Sequence, residues 1–191
     1  MKTKLFILAL FGFLTIGNQL YAQSRKTGNP LEKNGLNYIG LGLEVGPTLN
    51  QFSKSYPVHF GLPVKVYLGR QKKGRFIFRT GIHYFPAPDK NLSADLRSAH
   101  YLIIPLAIGY RRNFQDWYVE GSIGAASTQF RRTYTDDVFP PTRIYYQEIN
   151  YGLEVGKQLG NLDVGIAAYN TGPFPLNILC LGIKASYRLK W

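Results

Sequence analysis

Eight stretches of this chain alternate apolar residues with small or charged ones. A period of two is the signature of a strand, whose side chains point to opposite faces in turn. The clearest stretch is His59–Gly69: Phe60, Leu62, Val64, Val66 and Leu68 take one face, and His59, Gly61, Pro63, Lys65, Tyr67 and Gly69 take the other. The remaining stretches are Tyr38–Gly46, Arg75–Phe85, His100–Arg111, Trp117–Thr128, Ile144–Gly156, Leu162–Tyr169 and Leu179–Trp191. Trp117–Thr128 is the weakest, because Gly121 and Ser127 fall on its apolar parity. These lengths suit barrel strands, which cross a bilayer in about 9–11 residues, and after the N-terminal segment no apolar run reaches the roughly 20 residues of a spanning helix.

Sidedness decides the fold. A soluble barrel fills its interior with the apolar parity, whereas a transmembrane barrel turns that parity to lipid and keeps a polar interior. The connections alternate in kind. Pro47–Val58, Pro86–Ala99, Gln129–Arg143 and Asn170–Ile178 are long and polar or Pro-rich, while Arg70–Gly74, Arg112–Asp116 and Lys157–Asn161 are short. Short turns on one side and long loops on the other is the arrangement of outer-membrane barrels, with the short side periplasmic. The sequence therefore predicts one all-β domain over residues 36–191, an eight-stranded antiparallel up-and-down transmembrane β-barrel with both ends on the periplasmic side. Pro63 and Pro105 conflict with this, since each removes a ladder hydrogen bond from a sheet without edges. A local bulge or a shorter strand is the expected resolution.

The N-terminus reads as an export signal. Lys2 and Lys4 precede the apolar run Leu5–Ile16, and Leu20-Tyr21-Ala22 offers a cleavage site after Ala22. Residues 1–22 are the expected signal peptide and residues 23–35 a periplasmic lead-in. An uncleaved membrane anchor is disfavoured by the shortness of the run.

The inward parity carries Lys65, Arg75, Arg79, Arg111, Lys184 and Arg188 against Glu44, Glu120, Glu148, Glu154 and Asp163. Six against five is near balance, as buried charges require. Eight strands enclose only enough space for side chains, so this lumen charge network is expected to be a closed, ion-paired plug. The formal net charge of +12 must then lie mostly outside the lumen, on turns such as Arg70, Lys72, Lys73, Arg112 and Lys157, beside anionic headgroups. No basic helix or stacking platform points to nucleic acid.

Candidate chemistry is sparse. His59 and His83 point inward near Glu44, and two imidazoles with a carboxylate are residue types that bind zinc or move protons. Their spacing is no recognised ligand motif, so a hydrogen-bonded pair is the expectation, with no metal, cofactor or catalytic residue assigned. Ser122 lacks the His–Asp partnership of a hydrolase, His100 faces out at a strand end, and Cys180 reads as a small packed side chain. The segment 129–143, with Phe130, Arg131, Arg132, Tyr134, Asp136, Asp137 and Phe139, is the expected interaction loop because it mixes aromatic and charged groups.

The run Tyr101-Leu-Ile-Ile-Pro-Leu-Ala-Ile-Gly-Tyr-Arg111 resembles the tyrosine–leucine–x–isoleucine–proline–leucine strand of the PorT-like outer membrane β-barrel family. Phe78–Tyr84 and Tyr118–Gly124 resemble the strands on either side of it. The resemblance implies an outer-membrane barrel and tolerance of proline at Pro105, in a family mostly of unassigned role with one namesake in a protein-secretion pathway, so that the role expected is one accessory to protein secretion or envelope assembly; it carries no catalytic residues. The expected partners are outer-membrane lipids and envelope proteins, with the oligomeric state open. Two rival readings stand beside this one. The first is a secreted lipocalin-like barrel binding an apolar ligand, which needs the charged parity outside. The second is a barrel enzyme acting on lipid or peptide at its outer mouth.

Overall fold

The alternation carries through into a closed antiparallel barrel of eight strands in chain order. The computed structural model describes residues 38–68, 74–136, 139–172 and 178–190. The expected signal peptide, the lead-in, Gly69 and Trp191 lie outside these. The strands are β1 (Tyr38–Leu49), β2 (Val58–Leu68), β3 (Gly74–Pro86), β4 (Leu96–Phe114), β5 (Trp117–Tyr134), β6 (Thr142–Leu159), β7 (Leu162–Thr171) and β8 (Ile178–Lys190). Each pairs with its neighbour in sequence, and β1 closes on β8 from Tyr38↔Lys190 to Leu49↔Leu179. No helix among the described residues is long and apolar enough to cross a membrane.

The faces sort as the parity predicts. Leu43, Leu62, Phe76, Leu106, Ile108, Ile123, Leu153, Ile166 and Ile183 are exposed, while Lys65, Arg79, Arg111, Lys184 and Asp163 are each about 1 % exposed. In water, an apolar belt of this extent would be an aggregation surface; against hydrocarbon it is the stable arrangement. The lipocalin-like reading fails on this point, because the charged parity is inside. The weak fifth strand holds its place: Gly121 and Ser127 face outward, and a Cβ at Gly121 would meet nothing within 4 Å.

The two prolines need neither a bulge nor a shortened strand. The register is unchanged on either side of Pro63, but β1–β2 pairing skips from Leu41↔Val64 to Glu44↔Gly61. Likewise β3–β4 pairing skips from Arg79↔Ala107 to His83↔Ile103, opposite Pro105. In an antiparallel ladder, a residue's N–H and C=O point to the same neighbouring strand. A proline therefore disturbs one ladder and spares the other. The β2–β3 ladder runs unbroken through Pro63↔Gly81, and the β4–β5 ladder through Pro105↔Ala126. Gly81 lies between the two prolines at φ 144°, a conformation glycine alone adopts freely.

The strands at one end are longer than expected. β4, β5 and β6 run to 19, 18 and 18 residues. Pairing of β6 with β7 stops at Asn150↔Thr171, whereas β5 and β6 continue to Arg132↔Thr142. Residues 142–149 thus rise past the barrel rim as part of a three-stranded ledge.

Candidate functional site

The lumen is built in layers, beginning at the end with the short turns. The Arg75 guanidinium lies 5.0 Å from the centre of the Tyr38 ring. Above it, Arg111 donates to both oxygens of Asp163 at 2.5 and 3.2 Å, and Arg188 approaches the same carboxylate at 3.3 Å. The Arg111 guanidinium also sits 3.6 Å from the Tyr118 ring centre. A planar fork against a carboxylate, backed by an aromatic face, is the geometry in which a buried arginine is best satisfied.

The middle layer centres on Glu154. Lys65 donates to its Oε2 at 2.7 Å, Lys184 also bonds it, and Tyr118 donates to Oε1 at 2.7 Å. Lys65 reaches Glu120 as well. Glu120 and Glu154 are opposite one another on β5 and β6, a repulsive placement on its own. The lysine from across the lumen offsets it.

The third layer holds Glu44, His59 and His83. His59 Nε2 lies 2.9 Å from Glu44 Oε1, and His83 Nδ1 lies 3.9 Å from the same atom. Arg79 differs from Arg111 and Arg188. It bonds Asn150 and lies 4.3 Å from the Tyr169 ring centre, with no ion pair to a carboxylate among the described residues.

Of the predicted charge network, Glu44, Lys65, Arg75, Arg79, Arg111, Glu120, Glu154, Asp163, Lys184 and Arg188 are all buried. Glu148 is the exception. It keeps the inward parity but is only half-buried, because it lies on β6 above the last β7 partner.

The sequence reading missed the lid. Beyond the histidines the inward face turns apolar, with Phe85, Ile103, Ala126, Phe130, Tyr169, Ile178 and Cys180 packed together. The β1–β2 connection folds over them. Asn50 takes φ 59° and its side chain accepts from the Phe52 N–H at 3.1 Å, starting a 3₁₀ turn over Gln51–Lys54. That turn carries Phe52 and Tyr56 onto Tyr101, with ring centroids 5.2 and 4.9 Å apart, and Tyr101 stacks on Phe130 at 4.5 Å. Thr48 bonds the Tyr56 carbonyl, and the Asn91 side chain reaches across from the β3–β4 connection to the Lys54 carbonyl at 2.6 Å. Such aromatic pairs add about 0.5–1.5 kcal/mol each beyond simple burial. The inward parity of the strand ends (Phe85, Tyr101, Ile103) carried the signal, had each end been read separately from the middle.

The predicted interaction loop is corrected in part. Phe130, Arg131, Arg132 and Tyr134 belong to β5, not to a loop, and Phe130 is buried in the lid. The hairpin continues because aromatic and β-branched residues face each other there, as in Thr128↔Tyr146 and Phe130↔Ile144. Phe139 and Asp136 remain in the connection, and Asp137 lies outside the described residues. Cys180 is buried and free, as read. His100 is half-buried with its ring 5.2 Å from the outward Tyr84.

No family model matches the chain, and no curated protein matches it. Solved structures do. Ail, the attachment invasion locus protein of Yersinia pestis, is 11 % identical over 82 % of this chain and 99 % of that one, with a TM-score of 0.59. OprG from Pseudomonas aeruginosa is 10 % identical over 83 % and 98 %, with a TM-score of 0.54. The N-terminal β-barrel domain of OprF from the same organism is 11 % identical over 82 % and 100 %, with a TM-score of 0.53. This chain therefore has the fold of the eight-stranded outer-membrane β-barrels.

Proposed function

We propose that the protein is an outer-membrane barrel with a closed lumen that meets a partner at the cell surface and is not an enzyme. The observation that carries this reading is the ledge. A barrel strand needs about 9–11 residues to cross a bilayer, and β4 to β6 exceed that by roughly eight residues, or about 25 Å at the rise of a strand. The ledge exposes Ile144, Tyr145, Tyr146 and the adjoining Phe139, with Arg143 among them. Exposed aromatics interleaved with arginine are the composition of a protein-binding surface. The lumen, by contrast, is filled with paired charges and sealed by the Phe52–Tyr56 lid, which supports a plug with no through-channel.

The resemblance of Tyr101–Arg111 to the PorT-like family supports a role accessory to protein secretion or envelope assembly. The experiment has three readouts. Carbonate should leave the protein in the membrane, planar bilayers should show no steady current, and Tyr145→Ser with Tyr146→Ser should leave insertion intact while abolishing site-specific cross-links to an envelope partner. Cross-links and envelope phenotype identical to wild type would remove the ledge from consideration. Steady conductance would remove the closed lumen.

A further inference from the structure

We infer that Glu44, His59 and His83 form a binding site inside the lumen for one divalent metal ion of the zinc class. Their spacing in the chain gives no hint of this, because the site is assembled by register. Glu44 on β1 stands opposite Gly61 on β2, and Gly61 stands opposite His83 on β3. His59 follows on the same face of β2, two residues from Gly61. The three side chains are 0–4 % exposed, and one donor atom from each lies within 4.8 Å of the other two.

Two glycines clear the space. A Cβ at Gly61 would stand 3.1 Å from both the Glu44 Cβ and His83 Nδ1. A Cβ at Gly182 would stand 2.5 Å from the Glu44 carboxylate end. The rings are also held in place: His59 stacks on Phe85 at 5.4 Å and His83 meets the Tyr169 ring edge-on at 5.4 Å.

Beyond the contact of His59 Nε2 with Glu44 Oε1, the donors are not used up by one another. Glu44 Oε2, His59 Nδ1 and His83 Nδ1 have no hydrogen-bond partner among the described residues. Buried polar atoms are normally satisfied, and an orphan of this kind is destabilising. A cation bound by two imidazole nitrogens and a carboxylate oxygen offers buried atoms of this kind a partner. Zinc in such a site holds its ligands at about 2.0–2.2 Å and keeps one position open for water. A small cavity lined by Phe85, Asn150 and Cys180 borders His83. The ligand atoms must close from within 4.8 Å, and Glu44 has three side-chain torsions that move its carboxylate. Nitrogen and oxygen donors favour zinc, nickel or copper over magnesium or calcium. Arg79 and Lys184 are the neighbouring cations, and each is already engaged, by Asn150 and Glu154 respectively.

The test uses the folded full-length protein in detergent, without a histidine tag, stripped with chelator and titrated with Zn2+ against a chromophoric competitor. One equivalent should bind. His59→Gln or His83→Gln should weaken binding by at least about 100-fold, the upper end of the effect of disturbing a ligand's supporting shell. Heat-modifiable gel mobility reports whether the variants still form the barrel. Should they not, Co2+ in the wild-type protein decides: intense four- or five-coordinate visible bands support the site, and the weak octahedral spectrum overturns it. No zinc retained by wild type, or equal binding by folded variants, also overturns it.

Discussion

Glu120 and Glu154 stand side by side on adjacent strands, and Lys65, from the far wall of the barrel, bonds both. Lys184, Tyr118 and Tyr169 also bond Glu154. The lumen is therefore held by pairings across its width as well as along its wall. Stability should depend on individual members of the network far more than on any surface charge.

Glu154→Gln tests this. It leaves Lys65 and Lys184 buried with less than their full counter-charge, and breaking a buried pair in this way costs about 3–5 kcal/mol. Equilibrium unfolding in detergent should show that loss. Adding Lys184→Met should recover part of it, because one of the stranded cations is then gone. A loss below about 1 kcal/mol, the scale of an exposed pair, would mean that water reaches the layer.

Gly81 should be intolerant of a side chain. At φ 144° a Cβ would stand 2.5 Å from the Leu62 carbonyl oxygen, and a non-glycine residue held in such a region costs about 1–3 kcal/mol. Gly81→Ala should destabilise the barrel by at least that much. Gly121→Ala, whose Cβ faces open space, should be close to neutral in the same measurement.

Ile183 checks which face meets lipid. It is 67 % exposed and lies midway along β8. In a bilayer, Ile183→Lys should cost about 2–4 kcal/mol, the penalty for lysine on the lipid face near the midplane. On a soluble barrel an exposed substitution would stay within about 0.5 kcal/mol. Guanidinium unfolding from lipid vesicles distinguishes the two.

The lid should open in alkali. Burial pushes the Tyr56 phenol up to about 12 from its ordinary 10, with Tyr101 adding to the rise and Arg132 opposing it. The folded lid then holds its proton where the open form has lost it. Lid stability is complete below pH 10 and declines as pH rises through about 12. In spectrophotometric titration, the wild type should ionise one more tyrosine near pH 12 than Tyr56→Phe does. Titration of Tyr56 at its ordinary value would show that the lid stands open in solution.

Most of the architecture was legible because strand parity is local. A side chain's face follows from counting by two, so Phe60 out and Lys65 in needed no knowledge of any other strand. Eight strands, the outward apolar belt and the buried charges of Lys65, Arg111, Glu154 and Asp163 all came from that count. It failed at the edges of the barrel. Nothing local shows that β6 outlasts β7, so Glu148 was placed in a plug that ends below it, and Phe130 in a loop that is strand. The prolines misled for a related reason, since a single chain does not show that Gly81 lies between them.

Alternation and the inventory of inward charges were thus properties of the sequence alone, because both depend on the geometry of one strand at a time. Register belongs to pairs of strands, and contact across the lumen to the closed barrel. The register of three consecutive strands sets Glu44 beside two histidines, and only closure brings Lys65 to Glu154, 89 residues further along the chain. Partner choice inside a barrel depends on the height of each residue along the axis. That height is fixed by the staggering of eight strands together and is written in no single one of them.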